Sequence, residues 1–134
     1  MRLYIVRHAE AAGGEPDELR PLTGQGRENA RSVGKRLAAG GVRPDAVLTS
    51  PLLRARETAT EIAHALGVEA EADERLAPGA SADEVQAAVA GRGETVIVVG
   101  HQPDCGRVAA ALGGGPEPPF PPGGVAVVEV NWGA

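Results

Sequence analysis

The sequence predicts an α/β protein: a three-layer α/β/α sandwich with a mostly parallel central sheet of about five strands. Short apolar runs alternate along the chain with segments of helical periodicity, and this alternation is typical of a parallel sheet with helices on both faces. The length of 134 residues suits one domain with a core of its own. We therefore expect residues 1–134 to form a single domain.

Five segments have the character of β-strands. The strongest is Thr95–Val99, a run of five β-branched residues. Leu3–Val6 and Ala46–Thr49 are short and largely apolar without alternation, as in strands buried on both faces. Val68–Ala72 alternates apolar and acidic residues, which favours an edge strand. Val125–Val130 is the last predicted strand.

Four helices are predicted between these strands. Each begins near a residue that commonly starts a helix, and most end near glycine. The predicted starts are Thr23, Ser50-Pro51, Ser81 and Pro103. The predicted ends are Gly40, Gly67, Gly91 and Leu112. Ser81 and Glu84 together form a capping-box sequence.

Composition excludes several classes of function. Thirteen basic and 18 acidic residues give a net charge of -5, which argues against binding to nucleic acid or to an anionic membrane. One residue each of Phe, Tyr and Trp cannot build a stacking platform for single-stranded nucleic acid. No apolar run has the length of a signal-peptide core or a membrane span, so we expect a cytoplasmic protein. The oligomeric state stays open, and a monomer is compatible with the charge.

Arginine and histidine follow three of the predicted strands. Arg7 and His8 come after the first, Arg54 after the second and His101 after the fourth. Ligands of parallel α/β sheets bind at the carboxyl ends of the strands, so we expect these side chains to converge. Arginine matches phosphate oxygens, and a neutral imidazole is a nucleophile. The pattern predicts phosphoryl transfer without a metal or cofactor, and the arginines disfavour a metal site built from His8, His101 and Glu10.

These segments carry a resemblance to a known family. Arg7-His8-Ala9-Glu10 resembles the Arg-His-Gly signature of the histidine phosphatase (phosphoglycerate mutase-like) superfamily. Three further segments resemble motifs of that family in the same order: Arg20–Thr23, Ser50–Ala59 and Val98–Pro103. The short chain and the segment Leu76–Ser81 are most similar to the SixA-type phosphohistidine phosphatases.

The resemblance implies roles for five residues. His8 would be the nucleophile and would be phosphorylated transiently. Arg7 and Arg54 would hold the phosphoryl oxygens, and His101 would donate a hydrogen bond to the group if protonated. Arg20 is a candidate for substrate binding, with the alternative that it only pairs with Asp17 or Glu18.

The resemblance also bears on the substrate. Pro78 stands where mutases and many phosphomonoesterases of the family carry a glutamate that donates a proton. Without that acid, the labile P–N bond of phosphohistidine is favoured over a phosphate ester. The implied function is a metal-independent phosphatase acting on phosphohistidine in a signalling protein, such as a histidine-containing phosphotransfer domain. Two alternatives remain: a phosphatase for small phosphomonoesters with Glu10 or Glu74 as the acid, and a non-catalytic module that binds phosphate or a phosphoprotein.

Five further residues are interpreted without a role in the chemistry. Ala9 replaces the usual glycine of the signature and would be strained if the position needs a positive φ. Ser50 is expected to cap the second helix, and Cys105, the one cysteine, to be a small core residue. Arg56 and His64 are expected on solvated helix faces.

Overall fold

The computed structural model describes residues 1–132 and contains five strands and four α-helices. The strands are β1 (Arg2–Arg7), β2 (Ala46–Thr49), β3 (Ala70–Ala72), β4 (Thr95–Gly100) and β5 (Val125–Glu129). The helices are α1 (Gly24–Ala39), α2 (Leu53–Leu66), α3 (Ala82–Val89) and α4 (Asp104–Gly113). Two short 3₁₀ turns lie at Asp17–Leu19 and Glu74–Leu76. No helix among these residues is long and apolar enough to cross a membrane.

The sheet has the strand order β3-β2-β4-β1-β5. Strands β1 to β4 run parallel to one another, and β5 pairs antiparallel with β1. The predicted mostly parallel sheet of five strands is therefore confirmed. β3 lies at one edge, as the alternation of apolar and acidic residues predicted. The pairing of β3 begins only at Ala70, because the Val68 amide bonds to the Ala63 carbonyl in the turn that ends α2.

Both faces of the sheet are covered by helices, which confirms the three-layer sandwich. Successive side chains of a strand point to opposite faces, so each central strand contributes to both cores. Tyr4 and Val6 of β1 pack with residues of α1 and α2, whereas Leu3 and Ile5 pack with residues of α3 and α4. This double burial explains why the central strands lack polar alternation.

Local capping signals agree with the structure at α1 and α3 but not at α2. The Thr23 hydroxyl accepts a hydrogen bond from the Gly26 amide at 2.9 Å, and the capping box of Ser81 is present. The prediction that Ser50-Pro51 starts α2 was wrong, because that helix begins at Leu53 with no side-chain cap. The Ser50 hydroxyl accepts from the Leu52 amide at 3.2 Å, within the turn before the helix.

The strand register brings the predicted functional segments together. Arg7 of β1 lies opposite Gly100 of β4, and Thr49 of β2 lies opposite Val99. Beyond these pairs, the His8 amide donates to the Gly100 carbonyl and the Ser50 amide to the Val99 carbonyl, both at 3.0 Å. The three segments that follow β1, β2 and β4 therefore start side by side at one edge of the sheet.

Candidate active site

An open cleft lies at this edge, over the carboxyl ends of β1, β2 and β4. All five residues predicted for the site line it. The lining consists of Arg7, His8, Glu10, Ala11, Arg20, Arg54, Pro78, His101, Gln102 and Pro122. Segments that are distant in sequence thus form one cationic pocket.

Two imidazole rings that line the cleft lie close together. The ring centroids of His8 and His101 lie 5.2 Å apart, with an angle of 59° between the ring planes. Nδ1 of His8 lies 2.7 Å from the Ala9 carbonyl oxygen. A carbonyl can only accept, so Nδ1 carries the proton and Nε2 of the neutral ring keeps its lone pair. The structure thus fixes one tautomer of His8.

Both imidazoles favour their neutral form. Burial lowers the pKa of His8 below its ordinary value, and the positive charges of Arg54, Arg7 and Arg20 lower it further. Burial lowers the pKa of His101 to about 4, with smaller contributions from His8 and Arg54. The protonated form of His101, which was considered for phosphoryl binding, is therefore not the form present near neutral pH in the unliganded protein.

His101 has a buried partner that the sequence interpretation missed. Its Nε2 lies 2.7 Å from the Ser50 hydroxyl oxygen, and both residues are buried. Ser50 does not cap α2, which begins at Leu53, and its hydroxyl contacts this ring as well as the Leu52 amide. Its place directly after β2 was the available signal, since the same edge carries the other functional side chains.

Arg7 and Arg54 each have a buried donor that the described residues leave unpaired. Nη1 of Arg7 donates to the Phe120 carbonyl at 2.9 Å, and Nη1 of Arg54 donates to the Asp17 carbonyl at 2.9 Å. The Nε atoms of both arginines are buried, and neither has a hydrogen-bond partner within residues 1–132. Buried N–H groups without partners are rare in folded proteins. Two of them on cationic side chains of one cleft suit an anionic ligand.

Arg20 lines the cleft and also pairs with Asp17. Its Nε donates to the Asp17 carboxylate at 2.9 Å, and its Nη1 donates to the Ala12 carbonyl at 3.1 Å. Arg20 thus forms the predicted pair with Asp17 and also lines the cleft, and its role in substrate binding stays a prediction. The Asp17 carboxylate also accepts from Nη2 of Arg54 at 3.2 Å. No local sequence pattern predicted this contact. Hydrogen bonds from Arg20, with the nearby charge of Arg54, hold the pKa of Asp17 below its ordinary value.

Ala9 is accommodated without backbone strain. No residue other than glycine has a positive φ among residues 1–132, so alanine fits where the family signature has glycine. Ala9 is fully buried, and its amide donates to the Thr58 hydroxyl at 3.0 Å. The Thr58 hydroxyl donates in turn to the Arg54 carbonyl at 2.8 Å. Thr58, also missed from the sequence, thus joins the His8 loop to the helix that carries Arg54.

Carboxylates are scarce at the cleft. Pro78 lines it, whereas Glu74 is exposed on the 3₁₀ turn and is not part of the lining. Glu10 is the one carboxylate of the lining formed by the described residues, and it accepts from the Thr23 hydroxyl at 2.8 Å. Within residues 1–132, no three side chains of His, Cys, Asp or Glu are grouped to hold a metal ion.

The structure confirms the predicted places of three residues: Cys105 in the core, and Arg56 and His64 on an exposed helix face. Cys105 is buried, and burial raises the pKa of its thiol to about 12, so the thiolate that reacts is suppressed. Arg56 and His64 are exposed on α2.

Sequence comparison relates this chain to a family of known proteins. The model of the histidine phosphatase superfamily (branch 1) matches residues 3–78, more than half of the chain. Phosphohistidine phosphatase SixA of Escherichia coli K12 is 33% identical over 127 residues, which cover 90% of this chain and 79% of SixA. An uncharacterized protein of Picosynechococcus is 39% identical over 120 residues, 84% of this chain and 73% of the relative.

Solved structures of similar fold agree with the sequence comparison. The structure of SixA complexed with tungstate superposes with a TM-score of 0.86 at 31% identity, covering 95% of this chain and 86% of the other. YhfR of Bacillus stearothermophilus gives a TM-score of 0.76 at 27% identity, covering 98% and 92%.

The fold and the family match define a phosphatase of the histidine-nucleophile class. The chain belongs to the histidine phosphatase superfamily. Within it, the predicted resemblance to the SixA-type members is confirmed by sequence and by structure.

Proposed function

We propose that this protein hydrolyses the P–N bond of phosphohistidine in a phosphorylated protein, through a phosphorylated intermediate on His8. The observation that carries the proposal is the pair of neutral imidazoles enclosed by Arg7, Arg20 and Arg54 in one open cleft. A pocket with that charge suits a phosphoryl dianion, and an open cleft admits a ring that projects from another protein.

His8 supplies the nucleophile. Its Nδ1 proton is engaged by the Ala9 carbonyl, so the lone pair of Nε2 is available for attack. The lowered pKa of His8 keeps the ring unprotonated near neutral pH. In the first step Nε2 attacks phosphorus, and the P–N bond to the substrate ring breaks.

The arginines hold the phosphoryl oxygens during transfer. The buried Nε of Arg7 and that of Arg54 are donors already present in the folded protein. Fixed donors stabilise charge on the transferring group without reorganisation at the moment of reaction. Arg20, at the side of the cleft, adds a third positive charge.

His101 and Ser50 complete the binding of the phosphoryl group. A phosphoryl dianion beside His101 stabilises the imidazolium, so its pKa rises from about 4 when substrate binds. The ring then donates a hydrogen bond to a phosphoryl oxygen. The 2.7 Å contact with the Ser50 hydroxyl holds the ring in place for this role.

The chemistry of the leaving group favours phosphohistidine. When P–N cleavage returns the bonding electron pair to the substrate ring, a ring protonated by solvent at its other nitrogen leaves as neutral imidazole. An alkoxide from a phosphate ester needs an acid in the cleft, and Pro78 offers none. Water then attacks phospho-His8, which releases inorganic phosphate and restores Nε2. The partner we propose is a histidine-containing phosphotransfer domain.

The test is phosphate release from a protein that bears phosphohistidine, measured with a metal chelator present. We expect His8→Ala to lose more than about a thousandfold in rate, because the covalent route is removed. His64→Ala removes an exposed histidine of α2 and is expected to retain the wild-type rate. Full activity of His8→Ala would reject the mechanism.

The competing assignment is a phosphatase of small phosphomonoesters. Glu10 favours it, as a carboxylate that lines the cleft and could protonate an alkoxide. A panel of sugar and nucleotide phosphates, assayed beside the phosphohistidine protein, separates the two. A higher kcat/KM for one of those esters would select the competing assignment.

A further inference from the structure

Asp17 contacts two of the three arginines of the cleft. Its carboxylate accepts from Arg20 and from Arg54, and its main-chain carbonyl accepts from Arg54 as well. We propose that Asp17 is a positioning residue that selects the edge of the Arg54 guanidinium presented to the phosphoryl group. This inference rests on the proposed function, since it takes Arg54 as a ligand of that group.

A guanidinium has two edges that can bind an anion through a pair of hydrogen bonds. One is formed by the two Nη atoms and the other by Nε with one Nη. In Arg54, Nη1 donates to the Asp17 carbonyl at 2.9 Å and Nη2 to the Asp17 carboxylate at 3.2 Å. Asp17 therefore occupies the first edge. The remaining edge contains Nε, which is buried without a partner among the described residues.

Arg20 is joined to the same carboxylate. Oδ1 of Asp17 accepts from Nε of Arg20 at 2.9 Å, while Oδ2 serves Arg54. The side chain of Arg54 is 8% exposed and that of Asp17 is 64% exposed, so the carboxylate contacts the guanidinium from the solvent side. One acid thereby ties an arginine of the loop before α1 to an arginine of α2. Both are ordered before substrate arrives, which reduces the entropy lost on binding.

A negative charge at this place has two opposing effects. As a positioning residue Asp17 strengthens phosphoryl binding, whereas as a bare charge it repels the phosphoryl dianion. A merely structural role would alter neither the affinity for phosphate nor turnover in the folded protein. The sign of the change in phosphate affinity after substitution therefore tests the inference.

The experiment measures inhibition by inorganic phosphate, together with kcat and KM for phosphoramidate, the simplest P–N substrate. We expect Asp17→Ala to weaken phosphate binding and to lower kcat/KM by about ten- to a hundredfold, because Arg54 keeps only its main-chain contact at Nη1 and Nη2 is no longer held. Both variants keep the main-chain carbonyl that accepts from Nη1 of Arg54, and Asp17→Asn also keeps a side-chain oxygen acceptor. We expect Asp17→Asn to lose about two- to fivefold in phosphate affinity and in kcat/KM.

Glu18→Ala is the matched control. It removes the same charge one residue away, from an exposed side chain that makes none of these contacts, and is expected to leave both quantities unchanged. Thermal unfolding of each variant checks that the folded protein is compared. If Asp17→Ala does not fold, Asp17→Asn decides: a modest loss of phosphate affinity supports the inference.

Two results would overturn the inference: unchanged or tighter phosphate binding in Asp17→Ala, or, if that variant is unfolded, in Asp17→Asn. Arg54→Ala separates this failure from failure of the proposed function. If Arg54→Ala loses phosphate binding while the Asp17 variant is silent, only the role of Asp17 is rejected. If Arg54→Ala keeps full affinity and activity, the proposed phosphoryl site is itself rejected.

Discussion

His8 illustrates how a single side chain acquires its chemistry from its surroundings. The Ala9 carbonyl fixes the Nδ1 proton, and burial with three arginine charges disfavours a second proton. In the proposed mechanism, the nucleophilicity of His8 therefore depends on these neighbouring groups as well as on the ring itself. Titration of the ring should be visible in kinetics, because the protonated form cannot attack.

The acidic limb of the pH profile of kcat/KM depends on the pKa of His8. Because the pKa of His8 is lowered, the limb should lie below pH 6.5, the ordinary value for histidine. Arg20→Met removes a positive charge that disfavours imidazolium, so the pKa of His8 rises and the limb moves to higher pH. The measurement is kcat/KM from pH 4 to 8. Arg56→Met, on the exposed face of α2, is the control, and an equal displacement in both variants would contradict the assignment.

At the scale of elements, close packing of α1 against α2 holds one wall of the site. Gly34 of α1 makes this possible, since a Cβ there would lie 2.8 Å from Cβ of Ala65 and 3.1 Å from Cα of Ile62. Arg54 extends from α2 into the cleft, so the position of α2 sets the position of that arginine. A glycine within a helix is unfavourable by propensity, and packing explains its presence here.

Substitution of Gly34 tests this packing. We expect Gly34→Ala to lower the free energy of unfolding by about 1–3 kcal/mol, because the helices must separate. Gly24→Ala makes the same chemical change in α1 where a Cβ meets nothing within 4 Å, so it should be neutral or stabilising by up to about 1 kcal/mol. Urea unfolding measures both. Equal stability of the two variants would show that α1 and α2 do not need the close approach.

Across the whole molecule, the site is a source of acid sensitivity. His101 is buried in its neutral form, with a pKa of about 4, while in the unfolded chain its pKa is near 6.5. Below pH 6.5 the ring binds a proton in the unfolded state but not in the folded state. The free energy of unfolding therefore falls as the pH is lowered to about 4. The full difference corresponds to on the order of 3 kcal/mol.

We therefore expect His101→Gln to flatten the decline of stability between pH 6.5 and 4. The free energy of unfolding, measured with urea at several pH values, gives the slope for each protein. His64→Gln removes an exposed imidazole and should follow the wild-type curve. An unchanged slope in His101→Gln would mean that other groups cause the loss.

Most of this architecture could be predicted because its signals are local. β-branched runs such as Thr95–Val99, and the caps at Thr23 and Ser81, depend on neighbours in sequence and are readable from it. The contacts that refine the site are of another kind. Ser50 meets His101 across 51 residues and Asp17 meets Arg54 across 37, and no periodicity encodes such pairs. They emerge only once the sheet register is known.

The strand order also has a consequence for synthesis of the protein. β4 lies between β1 and β2, so the first and second strands have no direct pairing and meet only through a strand made much later. A nascent chain that lacks residues 95–100 has no strand to hold β1 beside β2 in the sheet that aligns His8 with Arg54. We expect phosphatase activity to appear late in translation, after β4 has left the ribosome. An N-terminal fragment that ends before β4 should not bind phosphate at this site.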